Sequence, residues 1–535
     1  MLVYEDNFAE RHLPALELQP DYIWDDPDFV FPDDLNCVDK LLDRHIRDGN
    51  GDRIAIRTFD SVWTFRDLYE KSNQIAQVLT YDLGFVSGNR VLIRSANNPM
   101  FVACWFGILK AGGIVVATMP LLREKELTVM CDSAEISHAF CDERLLDALC
   151  DVSSEHLKKI VAFDGTGQNP SELERMMFAK PTQFKNFPTK QDSISLIGFT
   201  SGTTGKPKMT SHYHRDVLLI CEAFPKYSLQ PTPDDIFTGS PPLGFTFGLG
   251  GLVLFPFYFG ASTFLIEKPS PELLLKAISE HKISIIFTAP TAYRVLTTLA
   301  KDFDISSLRK CVSAGETLPL KVWQDWFDAT GLKIIDGIGS TEILHIFISS
   351  TEENMKPGAT GLPIRGYEAK IVDPNGNEIT NGEHGRLAVR GITGCKYLNA
   401  PEKQLEYVEN GWNITGDIFR KDADGYFWFV TRGDDMIISS GYNISAIEVE
   451  SVLLMHPEIA ECAVTSAPDE ERGMLVCAYI VLREPKYASP EKAKEIQDWF
   501  KNTAAPYKYP RIITFIEQLP KTETGKIQRF KLKKA

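Results

Sequence analysis

The apolar run Ile194–Phe199 leads straight into Phe199-Thr-Ser-Gly-Thr-Thr-Gly-Lys-Pro-Lys208. A short apolar run closed by a glycine cluster predicts a strand that ends in a tight loop. Gly202 and Gly205 let the backbone fold closely and expose its N–H groups. Ser201, Thr203 and Thr204 add hydroxyl donors, and Lys206 and Lys208 add positive charge. Such a loop is a cradle for a polyphosphate. It lacks the G-x-x-x-x-G-K-[ST] spacing of a Walker loop. A plain surface turn shares this composition, so its surroundings decide how it is read.

Those surroundings alternate between strand and helix. Phe101–Leu109, Pro271–His281 and Leu318–Thr330 read as helices. Gly113–Thr118, Thr263–Ile266, Ile283–Thr288 and Lys333–Asp336 read as strands. This alternation predicts an α/β protein with mainly parallel sheets flanked by helices. Beyond Tyr367 the texture turns to hairpins, with Ala369–Val372, the turn Asp373-Pro-Asn-Gly376 and Arg386–Arg390. Past Arg432 a compact α+β segment follows, with helical Ile447–Met455 and Pro490–Asn502 and strand-like Glu461–Ser466 and Val476–Val481. The expected division is an N-terminal domain over residues 1–433, with a β-rich subdomain at about 367–430, and a small C-terminal domain over 434–535.

Length and charge narrow the function. At 535 residues the chain exceeds one ordinary core. A net charge of −15 argues against nucleic acid and anionic membrane as partners, so an anionic substrate has to be held by local donors. The 10 cysteines form no C-x-x-C pair, and neither a zinc site nor a disulfide framework is expected. Met1–Asn7 has no basic region or apolar core, so no secretory signal is expected and the setting reads as cytoplasmic. The uncharged stretch Gly239–Ile266 is long enough to span a bilayer. Its prolines and glycines instead predict a buried helix followed by a strand, with no transmembrane segment.

Five more segments follow the loop in order. They are Ser313-Ala-Gly-Glu316, Asp336-Gly-Ile-Gly-Ser-Thr-Glu342, Gly411-Trp-Asn-Ile-Thr-Gly-Asp417, Thr431-Arg-Gly-Asp-Asp-Met-Ile437 and Pro520-Lys-Thr-Glu-Thr-Gly-Lys526. Together they resemble the adenylate-forming superfamily of acyl- and aryl-CoA synthetases, luciferases and peptide-synthetase adenylation domains. The resemblance covers about Asp39 to Lys533 and implies ATP, Mg2+ and coenzyme A. It assigns Thr200, Ser201, Gly202, Thr203, Thr204, Gly205, Lys206 and Lys208 to the β- and γ-phosphates. Thr341 and Glu342 face the α-phosphate, with Glu342 as Mg2+ ligand. Gly315, Glu316, Asp336 and Gly337 border adenine, while Asp417 and Arg432 hold the ribose. Lys526 stabilises charge in the first half-reaction only. The C-terminal domain then pivots at Asp434 and brings Gly441 and Tyr442 to the thiol tunnel. Two departures stand out: Met209 replaces a commoner glycine, and Ile438 stands where some relatives carry lysine.

Within the superfamily, Asp336–Ile348 resembles benzoate–CoA ligases. Gly394-Cys-Lys-Tyr-Leu398 and Asp435–Ile444 resemble 2-aminobenzoate–CoA ligases. An aryl acid wants a flat apolar slot with few polar groups. Phe245, Thr246, Gly337, Ile338, Leu344 and His345 are the candidate lining, and Phe247 is expected in the core. His345 is either a pocket residue that hydrogen-bonds substrate or a satisfied core histidine. The alternatives are a medium-chain fatty acyl-CoA synthetase, an enzyme that loads an aryl acid onto a carrier protein, and a catalytically dead nucleotide-binding protein. A homodimer agrees with the resemblance, although no motif calls for one.

Overall fold

In a computed structural model the described residues are 3–200, 207–380, 382–433, 436–439, 442–469, 473–504, 506–521 and 527–532. Two large sheets form the body. One has six strands, of which the five from Arg90–Arg94, Ile114–Thr118, Ile136–Asp142, Lys159–Phe163 and Ile194–Thr200 run parallel. Lys208–Tyr213 closes it antiparallel to Ile194–Thr200. The other has nine strands, parallel through its centre and antiparallel at its edges. Helical crossovers between parallel strands cover both faces, which is why these strands read as unbroken apolar runs.

Helix starts are written locally. Pro99, Pro271 and Pro490 each open a helix behind Asn98, Ser270 and Ser489, whose side chains accept the backbone N–H of Phe101, Leu273 and Lys492. Proline costs nothing at that position, because its missing N–H would have had no helical partner. The helix Pro99–Lys110 is buried along its whole length. Gly239–Ile266 forms short contiguous helical turns from Thr246 to Tyr258 and then the strand Ser262–Phe264. Among the described residues no helix is long and apolar enough to cross a membrane.

Tyr367–Val372, Gly385–Gly391, Trp412–Lys421 and Phe427–Arg432 belong to a separate antiparallel sheet. A smaller unit follows. In it Ile459–Asp469 pairs with Gly473–Leu482, and Ile512–Phe515 joins in parallel. Helices Ala446–Leu453 and Pro490–Thr503 pack on this sheet around their own apolar core. The hydroxyl of Ser445 caps the first of these helices and also donates to the Val430 carbonyl, tying the unit to the preceding sheet.

Candidate functional site

A cleft of about 370 Å³ opens between the large body and the C-terminal unit. Its body side carries Gly315, Glu316, Asp336, Gly337, Asp417 and Arg432. Its other side carries Glu450, Glu461, Lys521 and Arg529. Gly315 follows the end of the strand Lys310–Ala314, and Asp336 lies within the adjacent parallel strand Ile334–Gly339, paired with Ser313. The ends of parallel strands are where open α/β sheets place ligands. Asp417 and Arg432 are paired across the antiparallel sheet, with Nε 3.5 Å from Oδ1. Burial pushes the Asp336 carboxyl well above the usual carboxylate range.

Thr341 and Glu342 stand in the turn that joins Ile334–Gly339 to the antiparallel strand Ile346–Ser349. The turn is held at several points. The Thr341 carbonyl accepts from the Leu344 amide at 3.2 Å and from His212 Nε2 at 2.7 Å. A carbonyl only accepts, so Nε2 carries the proton. Burial lowers the His212 pKa and keeps the ring neutral. Glu342 is buried and accepts the Tyr397 hydroxyl on Oε1 at 2.6 Å.

The glycine-rich loop meets this turn at its two described ends. A Cβ on Gly198 would lie 2.6 Å from the Thr341 side chain, so glycine is needed for the strand to pass. Thr200 pairs with Lys208, and Lys208 Nζ lies 4.6 Å from the centre of the Tyr397 ring. Ser201, Gly202, Thr203, Thr204, Gly205 and Lys206 lie outside the described residues, as do Asp434, Gly441 and Lys526. Of Tyr442 only the backbone is described, in a strand paired with Met436–Ser439. Lys521 and Ile527 flank the segment that carries Lys526; they bridge to each other, and both line the cleft.

Under the turn lies a buried ion pair that sequence reading missed. Lys396 Nζ sits 3.0 Å from Asp216 Oδ2, with the side chains 0% and 1% exposed. Burial alone would raise the Asp216 carboxyl, but Lys396, with His212 and Arg215, holds it well below the usual range. His212 Nδ1 is 3.8 Å from the same carboxylate, too long for a hydrogen bond. Tyr397 was missed as well, although Gly394–Leu398 stood out for its resemblance. Its partner Glu342 is 55 residues away, beyond the reach of any local pattern.

The expected acid pocket is only partly assembled. Gly337 and Ile338 line the cleft; Phe245, Thr246, Leu344 and His345 do not. Phe245 is exposed and Thr246 half-buried. Leu344 packs in the central core, with a left-handed φ of 77°. Phe247 lies at the core's margin rather than within it, half-buried against Phe287 and His345. His345 is 2% exposed, and neither ring nitrogen finds a partner among the described residues. It stands edge-on to Phe255 at 4.5 Å, with Phe247 and Phe224 near 6 Å. Gly250 makes room for it: a Cβ there would lie 2.6 Å from Nε2. Burial lowers the His345 pKa to about 3, so the ring offers one neutral donor and one acceptor.

Glu342 fits a divalent cation. Its second oxygen takes no hydrogen bond from a described residue, and carboxylate oxygen is the ligand Mg2+ prefers. A second grouping, His456, Glu458 and Glu495, is already served by Lys492, at 2.7 and 2.8 Å from the two carboxylates.

Residues 42–396 match the AMP-binding enzyme family, and 448–526 match the AMP-binding enzyme C-terminal domain. The chain belongs to this adenylate-forming family, among its acyl- and aryl-CoA ligases. Benzoate–CoA ligase of Thauera aromatica is 33% identical over 518 residues, which are 95% of this chain and 98% of that protein. The mitochondrial acyl-coenzyme A synthetase ACSM3 of Mus musculus is 34% identical over 502 residues, 91% of this chain and 85% of its own. The crystal structure of the anthranilate CoA ligase AuaEII with anthranoyl-AMP is similar with a TM-score of 0.88 and 35% identity, over 94% of this chain and 97% of that one.

Two outcomes follow from the buried groups. Lys396→Met strands Asp216 as an uncompensated charge and should cost about 3–5 kcal/mol. Adding Asp216→Asn should recover part of the loss, as read from denaturant midpoints; additive losses would show that the pair is not coupled. His345 has a folded-state pKa of about 3, below the unfolded value of about 6.5. Its contribution is fully present above pH ~6.5 and is lost as pH falls toward 3, by up to about 1.4 kcal/mol per unit. The stability of wild type relative to His345→Phe should therefore fall across that window, and a pH-independent difference would contradict it.

Proposed function

We propose that the protein adenylates an aromatic carboxylic acid of the benzoate or 2-aminobenzoate type and passes the acyl group to coenzyme A. First, a carboxylate oxygen attacks the α-phosphorus of ATP while the bond to pyrophosphate breaks, leaving acyl-AMP. The coenzyme A sulfur then attacks the acyl carbon, and AMP departs with the electrons of the cleaved C–O bond. The first step brings two anions together, so the site has to neutralise charge and align the attack.

In this reading Thr200–Lys208 hold the β- and γ-phosphates, and Thr341 and Glu342 stand at the α-phosphate. Mg2+ bound at Glu342 supplies positive charge to the phosphates. Glu316, Asp336 and the backbone at Gly315 and Gly337 receive adenine. Asp417 accepts from the ribose hydroxyls, and Arg432 assists. Lys526 reaches the reacting carboxylate during adenylation. The C-terminal domain turns at Asp434, withdraws Lys526 and brings Gly441 and Tyr442 to the thiol path.

Support for an aromatic acid comes chiefly from His345, unpartnered inside a shell of phenylalanine rings three residues after Glu342. Buried polar groups are almost always satisfied, and one left open three residues from Glu342 suits a ligand's polar edge. The benzoate and anthranilate ligases among the relatives point the same way.

AMP formation from ATP and Mg2+ with benzoate, 2-aminobenzoate or octanoate, with and without coenzyme A, tests the reading. Turnover should require an aromatic acid together with coenzyme A. Preference for octanoate would overturn the aromatic assignment, and acyl-AMP that coenzyme A cannot discharge would indicate a carrier-protein acceptor. Lys526→Ala should lower adenylation by a factor on the order of 100 or more. Full activity in that variant would remove Lys526 from the mechanism.

A further inference from the structure

Tyr397 is fully buried and belongs to no element of the large sheets, yet it touches both charged sides of the polyphosphate site. Its hydroxyl donates to Glu342 Oε1 at 2.6 Å, and its ring face lies 4.6 Å below Lys208 Nζ. Its backbone is fixed on three sides. Thr210 bridges to it, the Leu398 amide donates to the Met209 carbonyl at 2.9 Å, and the Gln404 side chain accepts the Tyr397 amide at 2.8 Å. The ring also meets Tyr407 edge-on at 5.7 Å.

A carboxylate has two oxygens and a nearly free terminal torsion. Left alone, Glu342 swings between orientations and presents either oxygen. With Oε1 committed to Tyr397, only Oε2 remains for a ligand, in a fixed direction. An ionised carboxylate only accepts, so the phenol O–H is the donor of the pair.

We propose that Tyr397 is the positioning residue of the cation-binding carboxylate: it fixes Glu342 so that one oxygen is offered to a divalent cation, and it anchors Lys208 at the exit of the phosphate loop. The inference rests on the reading of Glu342 as a metal ligand. Tyr397 itself touches neither substrate nor metal. Hydrogen bonds behind a metal ligand are worth about 10–100-fold in metal affinity.

The test is direct binding of Mn2+ to the full chain with a non-hydrolysable ATP analogue, by electron paramagnetic resonance, in wild type, Tyr397→Phe and Glu342→Gln. Tyr397→Phe removes one oxygen atom and keeps the ring under Lys208. It should weaken Mn2+ binding about tenfold or more. The Mg2+ concentration for half-maximal adenylation should rise in the same ratio, while the KM for the carboxylic acid and the near-ultraviolet circular dichroism stay unchanged. Glu342→Gln should weaken Mn2+ binding at least as much. If Glu342→Gln weakens Mn2+ and Tyr397→Phe does not, the positioning role is wrong and Glu342 remains a ligand. Mn2+ affinity unchanged in both variants would overturn the Glu342 reading and this inference together.

Discussion

Between the strands Ile334–Gly339 and Ile346–Ser349 the chain turns through Ser340–His345, carrying a carboxylate, a carbonyl and an imidazole into space that water hardly reaches. Each buried polar group costs about 1–3 kcal/mol if left unpaired. Most are paired from elsewhere: Glu342 by Tyr397, and the Thr341 carbonyl by His212. His212 lies on the strand that closes the six-stranded sheet, and Tyr397 lies just beyond the β-rich subdomain's second strand. The turn itself belongs to the nine-stranded sheet. Satisfying one turn therefore locks three sheets together at the place where the phosphate loop begins and ends.

The same arrangement explains how an acidic protein presents a site for anions. With a net charge of −15 the overall field repels them, so cations have to be placed one by one. Lys208 is held over Tyr397, and Arg432 is paired beside Asp417. Lys396 is different. Its ammonium is taken up by Asp216, the Gly394 carbonyl and the Tyr22 hydroxyl, so it supports rather than binds. Across the cleft, Arg529 grips Glu450 with Nη2 2.7 Å from Oε2, and Lys521 pairs with Glu461 at 2.6 Å. Glu450 also accepts the Val464 amide at 2.7 Å, so this wall of the cleft is tied into the C-terminal unit's own sheet.

His345 is one of several buried groups that find no hydrogen-bond partner among the described residues. Its ring is wrapped by Phe224, Phe247 and Phe255, and Gly250 leaves the space for it. The backbone that delivers it is unusual, because Leu344 sits at φ 77°, where a side chain other than glycine is disfavoured. That reversal drives Leu344 into the core and turns the next residue toward the rings.

Much of this was legible without a structure. Apolar runs of four to six residues marked some of the parallel strands, because a strand covered on both faces has no polar side to show. The helices Pro271–His281 and Pro490–Thr503 were readable from their starts, while the helix expected from Phe101 begins at Pro99, behind the Asn98 cap. Backbone freedom and hydroxyl donors in the glycine-rich loop are properties of the residues themselves and were readable without a fold. Tyr397 on Glu342, His212 on Thr341 and Lys396 on Asp216 span 55, 129 and 180 residues, and no periodicity reports a contact at that range. Nor did residue type separate Ile338, which faces the cleft, from Leu344, which faces the core; a single left-handed residue made that division. Sequence alone determined the elements and the chemistry available to them, because both depend on neighbours in the chain. Only the tertiary structure decided which groups share a site and which hold it in place, because that depends on where distant strands come to lie side by side.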